Sequence, residues 1–111
     1  EYPLIHKNAN LLAIRILKRK FPKIEIGYSD HTIGTTAVMT AVSLGATTIE
    51  KHFTLNKKFK GTDHILSADP KDLKEISSKI KIISKLLGNE KKQPSVAENK
   101  IKVFMRNRFT V

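Results

Sequence analysis

Apolar residues recur along the chain at two spacings, and the change from one to the other predicts helices and strands. A helical spacing, with apolar residues three or four positions apart, occupies stretches 10–20, 35–44 and 70–87. Alternation of apolar and polar residues, typical of a strand, occupies stretches 23–28 and 47–53. The predicted order is therefore helix, strand, helix, strand, helix.

Capping residues support the predicted helix ends. Asn8 or Asn10 can cap the first helix, and Asp69 with Pro70 provides two start signals for the third. Three residues that cannot continue a helix, or that commonly end one, follow the helical stretches: Pro22, Gly45 and Gly88. The stripe of the first helix that we expect to be buried comprises Leu12, Ala13, Ile16 and Leu17.

Each predicted strand leads into a histidine. A strand, a helix and a second strand with short connections form a βαβ unit, so the strands should be parallel neighbours about 4.8 Å apart. His31 and His52 then lie at the carboxyl end of one sheet, where α/β proteins bind ligands. Alternation places Ser29 on the face of His31, and Glu50 on the face of His52. We therefore expect the two histidines to lie close enough to share one ion.

The predicted sheet is too small for its helices, because two strands cannot cover three apolar helices without open edges. The order of elements fits an α/β fold, namely the C-terminal portion of a (β/α)8 TIM barrel. Such a barrel typically has eight strands and needs about 250 residues, and the two strands and three helices predicted here correspond to roughly its last quarter. Residues 55–68 form a long loop without periodicity, a kind of loop that is often functional. Residues 89–99 are polar and are predicted to be a linker.

The residues at this sheet edge suit several kinds of chemistry. Two neutral imidazoles with nearby carboxylates suit a Lewis-acid divalent cation such as Mn²⁺, Zn²⁺ or Mg²⁺. Asp30 and Asp63 are candidate ligands or outer partners, and Glu50 could orient His52. Structural roles fit the same residues: hydrogen-bonded histidines at strand ends, aspartates in turns or caps, and a buried ion pair for Glu50. A metal-dependent hydrolase of barrel type would also use such a cluster, to activate water.

Composition narrows the range of partners. The formal net charge is +11, but the basic residues are scattered and aromatic residues are few, so we predict no nucleic-acid partner. No apolar run approaches the ~20 residues of a membrane span, and we predict no membrane partner. The absence of cysteine fits an intracellular setting, and we predict a cytoplasmic location. The first residue is Glu1 rather than methionine, which suggests that the numbering begins inside a longer protein.

Three long motifs carry a resemblance to a known family: YSDHTIG at 28–34, LGATTIEKHFTL at 44–55 and FKGTDHILSADPKDL at 59–73. They resemble the C-terminal part of the barrel of the N-acetylneuraminate (sialic acid) synthases, the NeuB-type family. Pro94-Ser95 with Glu98 resembles the linker before the small antifreeze-like domain of those enzymes. The resemblance implies that residues 1–88 belong to the barrel. It also implies that residues 89–111 are the linker and the start of an antifreeze-like domain that is otherwise missing.

The resemblance also implies an activity and a role for individual residues. The family condenses phosphoenolpyruvate with N-acetylmannosamine or a related N-acylated aldose, giving a nine-carbon 2-keto acid and phosphate. His31 and His52 match the family's two metal ligands, with Mn²⁺ preferred over Mg²⁺ or another divalent ion. Ser29 matches a position that contacts phosphoenolpyruvate, and Tyr2 matches one that lines the substrate pocket. Asp63 matches an acidic residue near the metal and the sugar, where it would act catalytically by orienting the sugar or the attacking water.

Further expectations concern the chain as a whole. The family's other phosphoenolpyruvate-binding residues lie on earlier strands, so we expect this chain alone to be inactive and to aggregate or need a complementing fragment. Full-length members are expected to be homodimers, because the antifreeze-like domain reaches into a partner's site. The GTDH form of residues 61–64 favours the sialic and legionaminic branch over pseudaminic acid synthases. The alternative from another class is a non-catalytic relic or interaction module that retains the fold signals.

Overall fold

The structure, a computed structural model, describes residues 2–107. This part of the chain contains two short strands and four α-helices. In chain order they are α1 (Ala13–Lys20), β1 (Gly27–Asp30), α2 (Thr36–Ser43), β2 (Thr48–Lys51), α3 (Pro70–Leu87) and α4 (Val96–Asn107), after a 3-10 turn at His6–Asn8. The predicted α/β fold class is confirmed, with one helix more than the sequence predicted. None of the helices in this range is long and apolar enough to cross a membrane.

The two strands pair in parallel and are joined by α2, which confirms the predicted βαβ unit. The register pairs Gly27 with Thr48, Tyr28 with Ile49, Ser29 with Glu50 and Asp30 with Lys51. Both strands are shorter than predicted, and β1 lies further along the chain. β1 starts late because Ile24 still belongs to a turn, with its N–H bonded to the Phe21 carbonyl at 3.1 Å. Backbone pairing therefore sets the ends of the strands, whereas the alternation of apolar and polar residues in the sequence predicted longer strands.

A small apolar core lies where α1 and α2 meet the sheet. Its buried members are Ile14, Ala41 and Ala46, and partly buried side chains of both strands pack against them. α2 buries Ala37, Val38 and Ala41, of which Val38 is fully enclosed. The predicted stripe of α1 is wrong, because Ile14 is the buried residue of that helix while Ile16 is 57% exposed. Leu12, on the same predicted stripe, is also largely exposed, at 63%.

The start of α3 has both features that the sequence predicted. The Asp69 side chain accepts a hydrogen bond from the Asp72 N–H at 2.9 Å, and Pro70 is the first helical residue. Asp72 returns the contact by accepting from the Asp69 N–H at 3.2 Å, which completes a capping box. Gly88 follows the last turn with φ of 58°, a left-handed conformation that favours glycine. The helix packs on α2 and buries Ile76.

The start of α1 and the stretch after α3 differ from the prediction. α1 begins at Ala13, and neither predicted asparagine caps it, since Asn10 has φ of 44° and Leu12 precedes the helix. α4 begins at Val96, inside the stretch predicted to be linker, so the chain between α3 and α4 is shorter than expected. A second capping box explains this start: Ser95 Oγ accepts from the Glu98 N–H at 3.1 Å, and Glu98 accepts from the Ser95 N–H at 2.6 Å. The division into domains at residue 88 stays a prediction.

Candidate functional site

Four polar side chains share the open face at the carboxyl end of the sheet. Ser29 and Glu50 stand side by side in the register, and the Ser29 hydroxyl donates to a Glu50 carboxylate oxygen at 2.7 Å. His31 Nε2 lies 3.1 Å from the same hydroxyl. The imidazole of His52 lies beside that of His31, with 5.3 Å between ring centroids. The structure thus brings the two predicted metal ligands together and places the predicted phosphoenolpyruvate contact, Ser29, next to them.

A third ring closes one side of this group. The Tyr2 ring meets His31 edge-on at a centroid distance of 4.7 Å and His52 at 6.2 Å. The N–H of Leu4 donates to the carbonyl of His31 at 2.9 Å, so the segment that carries Tyr2 is bonded to the end of β1. Tyr2 nevertheless keeps 60% of its surface exposed, which leaves it free to meet a ligand. The structure therefore places Tyr2, the residue expected to line the substrate pocket, beside both histidines.

Asp30 does not belong to this group, and its side chain takes the turn role that the sequence also allowed, since it accepts a hydrogen bond from the N–H two residues later. Its side chain lies on the opposite face of the sheet, fully buried, with a carboxylate oxygen 2.7 Å from Lys51 Nζ. The other oxygen accepts from the Tyr28 hydroxyl at 3.1 Å and from the Thr32 N–H at 3.0 Å. Burial, together with the charge and hydrogen bond of Asp30, raises the pKa of Tyr28 to about 12. Strand alternation from His31 would have placed Asp30 on this far face.

Asp63 approaches the site from the long loop. It lines an open cavity of about 320 Å³ together with His52, Thr62 and His64. The loop holds a tight turn here, because the Asp63 carbonyl accepts both the Ser67 hydroxyl at 2.6 Å and the Ser67 N–H at 3.1 Å. A second cavity, of about 240 Å³, is lined by Ser29, His31, Glu50, Lys51 and His52. His52 lies on the wall of both cavities, so the predicted sugar-binding loop and the histidine face are adjacent.

Sequence reasoning gave no structural role to His64, which helps hold this loop. His64 Nδ1 lies 2.8 Å from Thr54 Oγ1, and Thr54 is itself buried. The Phe59 ring packs edge-on against the imidazole at 5.5 Å. Gly61 has φ of 143°, which disfavours any side chain, and a Cβ there would lie only 3.0 Å from the ring, so this position favours glycine. The glycine and histidine of the GTDH motif are the sequence signal for this contact, but the partner residue Thr54 lies outside the motif.

The family of this chain follows from its match to a protein-family model. The NeuB family model matches residues 1–92. The chain belongs to the NeuB family. It is 38% identical over 110 residues to an N,N'-diacetyllegionaminic acid synthase of Legionella pneumophila, covering 99% of this chain and 31% of that relative. It is 40% identical over 92 residues to the N-acetylneuraminate-9-phosphate synthase of Homo sapiens, covering 83% of this chain and 26% of the relative.

A solved structure confirms the fold of this NeuB-family chain. The N-acetylneuraminic acid (sialic acid) synthetase of Leptospira borgpetersenii, solved in complex with citrate, superposes with a TM-score of 0.86 at 38% identity. The match covers 98% of this chain and 38% of that one, so the chain spans about a third of the length of its relatives. The predicted family and the predicted portion of a TIM barrel are both confirmed.

The residues of this NeuB-family chain fit a divalent cation at the histidine face. His31 Nδ1 is buried and has no hydrogen-bond partner in the described chain, a costly state unless a ligand or water meets it. Two adjacent imidazoles are a donor set that first-row divalent ions accept. No group of three or more His, Cys, Asp or Glu side chains within residues 2–107 could hold a metal. Water, substrate or further protein groups would therefore complete the coordination.

Proposed function

We propose that this chain forms the cation-binding wall of a sialic acid synthase-type enzyme. The complete enzyme would condense phosphoenolpyruvate with an N-acylated aldose to a nine-carbon 2-keto acid and phosphate, in a C–C bond-forming transfer. The observation that carries the proposal is the pairing of His31 and His52 beside Ser29 in a chain of the NeuB family. The relatives, which are synthases of sialic and legionaminic acids, support the reaction class.

The proposed roles follow from where the side chains lie. His31 and His52 would hold the divalent cation, Mn²⁺ by preference, which when bound polarises the aldehyde oxygen as a Lewis acid. The Ser29 hydroxyl, which lies between the His31 imidazole and Glu50, would bind phosphoenolpyruvate. Tyr2 would line the same pocket through its exposed ring surface. These groups form one side of a site in which the enol carbon of phosphoenolpyruvate can be held against the aldehyde carbon.

Asp63 would serve the second half of the reaction. After the new carbon–carbon bond forms, water adds to the carbon that carries the phosphate, and phosphate leaves. Asp63 lines the cavity that His52 also lines, so its carboxylate would orient the sugar hydroxyls or that water. The GTDH loop leads us to propose a sialic or legionaminic precursor as the aldose, although the relatives also include a pseudaminic acid synthase at 36% identity.

Three further parts of the proposal concern the whole protein. The chain covers 31% of the length of its legionaminic acid synthase relative, and we propose that it is inactive alone. We also propose that the complete enzyme is a cytoplasmic homodimer. Purifying the 111-residue chain and assaying keto acid by mass spectrometry tests the first point, since measurable product from this chain alone would contradict it.

Histidine substitutions test the site. His31→Ala and His52→Ala, made in the full-length natural context, should each weaken Mn²⁺ binding by at least the roughly 10- to 100-fold that loss of an outer partner causes, and should abolish keto acid formation. Titration calorimetry measures the affinity, and mass spectrometry measures the product. His6→Ala is the matched control, because His6 is an exposed histidine outside the site. The His6→Ala protein should bind Mn²⁺ as tightly as the unaltered protein. Unchanged Mn²⁺ binding and activity in both site variants would refute the assignment.

A further inference from the structure

We propose that the buried ion pair between Asp30 and Lys51 is a positioning device that holds His31 and His52 at the separation needed to share one divalent cation. Each member of the pair stands one residue before a histidine. The inference rests on the proposed function for the presence of a cation. It goes beyond that function by assigning a role to two residues whose charged side chains are buried against each other.

The position of the pair in the sheet carries the first part of the argument. Asp30 and Lys51 face each other as the last paired residues of β1 and β2, and both histidines lie just beyond that point. Beyond this last pair, the backbone hydrogen bonds between β1 and β2 no longer set the distance between the two strands. The Lys51 ammonium and the Asp30 carboxylate, 2.7 Å apart, supply a side-chain link at this point. Their side chains are 4% and 0% exposed, so water does not compete for the contact.

The same two side chains also hold the backbone around His31. Asp30 accepts from the N–H of Thr32 at 3.0 Å, and Lys51 donates to the carbonyl of Thr32 at 2.8 Å. The residue after the histidine is thus bonded through both of its backbone groups and is fully buried. The Tyr28 hydroxyl adds a third contact to the carboxylate at 3.1 Å. Movement of either strand end would break several buried hydrogen bonds together, so the two histidines should move as one unit.

A purely structural role does not account for this arrangement. A buried ion pair is often no more stabilising than apolar side chains of similar volume, so stability alone does not call for one here. A charged, hydrogen-bonded pair does specify orientation, because its geometry tolerates little displacement. Cation sites require such orientation, since ligands must be held to within about 0.5 Å by their supporting contacts. The geometry therefore points to positioning as the role of Asp30 and Lys51.

Three variants in the full-length natural context test this role. Asp30→Asn and Lys51→Met each break the ion pair, whereas the double variant removes both charges and leaves neither one buried alone. Each single variant should bind Mn²⁺ about 10- to 100-fold more weakly, the range typical when contacts that orient metal ligands are lost. The double variant should recover thermal stability relative to the single variants but keep the weakened affinity. Ile14→Ala is the control, because it removes buried volume from the apolar core and not a hydrogen bond of the ion pair, and it should leave the affinity unchanged.

Calorimetry gives the Mn²⁺ affinity, and the visible absorption of bound Co²⁺ reports the ligand geometry independently of any activity. The expected result is a changed Co²⁺ spectrum in folded variants of the pair and an unchanged one in Ile14→Ala. If the single variants do not fold, the double variant decides alone. Wild-type affinity and spectrum in a folded variant of the pair, or no divalent binding by the unaltered protein, would overturn the inference. Histidine-dependent Mn²⁺ binding without keto acid formation would instead refute the proposed function and leave the positioning role standing.

Discussion

Replacing Asp69 with alanine measures how much the cap of α3 stabilises the loop-to-helix junction behind the site. The Asp69 carboxylate accepts the Asp72 N–H at 2.9 Å, and Asp72 returns a bond to the Asp69 N–H. Lys57, from the long loop, pairs with Asp72 and lies 3.8 Å from the Asp69 carboxylate. The alanine variant loses the cap acceptor, the charge at the helix N-terminus and the longer of the two Lys57 contacts. The reciprocal bond from Asp72 can remain.

The magnitude follows from these three losses. A lost N-cap acceptor costs about 1 kcal/mol, and a lost negative charge at an exposed helix start costs roughly 0.3–1 kcal/mol. The contact with Lys57 adds little, since an ion pair of this length that is about a third exposed is screened by water. The expected total is about 1–2 kcal/mol in the local free energy of opening. Because exchange of a protected amide follows that free energy, the first turns of α3 should exchange about 5 to 30 times faster.

Hydrogen exchange read by mass spectrometry on peptides from α3 measures this change in the full-length natural context. Asp69→Asn is the matched control: asparagine caps as well as aspartate, so only the charge is lost and exchange should rise by less than about fivefold. Peptides from α1 should exchange at the same rate in both variants. Unaltered exchange in Asp69→Ala, or equal acceleration in the alanine and asparagine variants, would refute the argument that the side-chain acceptor stabilises this junction.

Three other predictions concern stability. Because the pKa of Tyr28 is raised to about 12, its neutral form adds stability below pH 10, and this stability is lost towards pH 12. The Tyr28 phenolate, identified as the absorbance that is missing in Tyr28→Phe, should titrate near pH 12. Titration near pH 10 would contradict this. Burial opposes ionisation of Asp72, but hydrogen bonds from Lys57 and the Asp69 amide prevail and lower its pKa. The Asp72 carboxylate thus adds stability above about pH 4, and this stability is lost in acid. Lys57→Gln should therefore reduce the fall in thermal midpoint between about pH 5 and pH 3. An identical fall in both proteins would show that the contact between Lys57 and Asp72 does not stabilise the fold. Leu66 is fully buried, so Leu66→Ala should cost about 2.7–5.0 kcal/mol in urea unfolding, and Leu66→Met much less; equal costs would contradict tight packing there.

Much of the candidate site could be predicted from the sequence because its signals are local or follow strand parity. His31 and His52 each follow a short β-rich run, and one helix separates the runs, so parallel pairing had to bring them to the same sheet edge. Parity also placed Ser29 and Glu50 on the face they occupy. The same parity rule places Asp30 on the far face of the sheet, where its carboxylate meets Lys51.

By itself the sequence determined the elements whose causes lie within a few residues: the capped start of α3, the glycine after it, and the βαβ order that pairs the histidines. Only the tertiary structure decided which face of α1 is buried, where the strands end, and which partners Asp30 and His64 take. The physical reason is that these outcomes depend on groups far apart in the chain. A lysine 21 positions away completes the Asp30 contact, and no periodicity or capping rule relates two such residues.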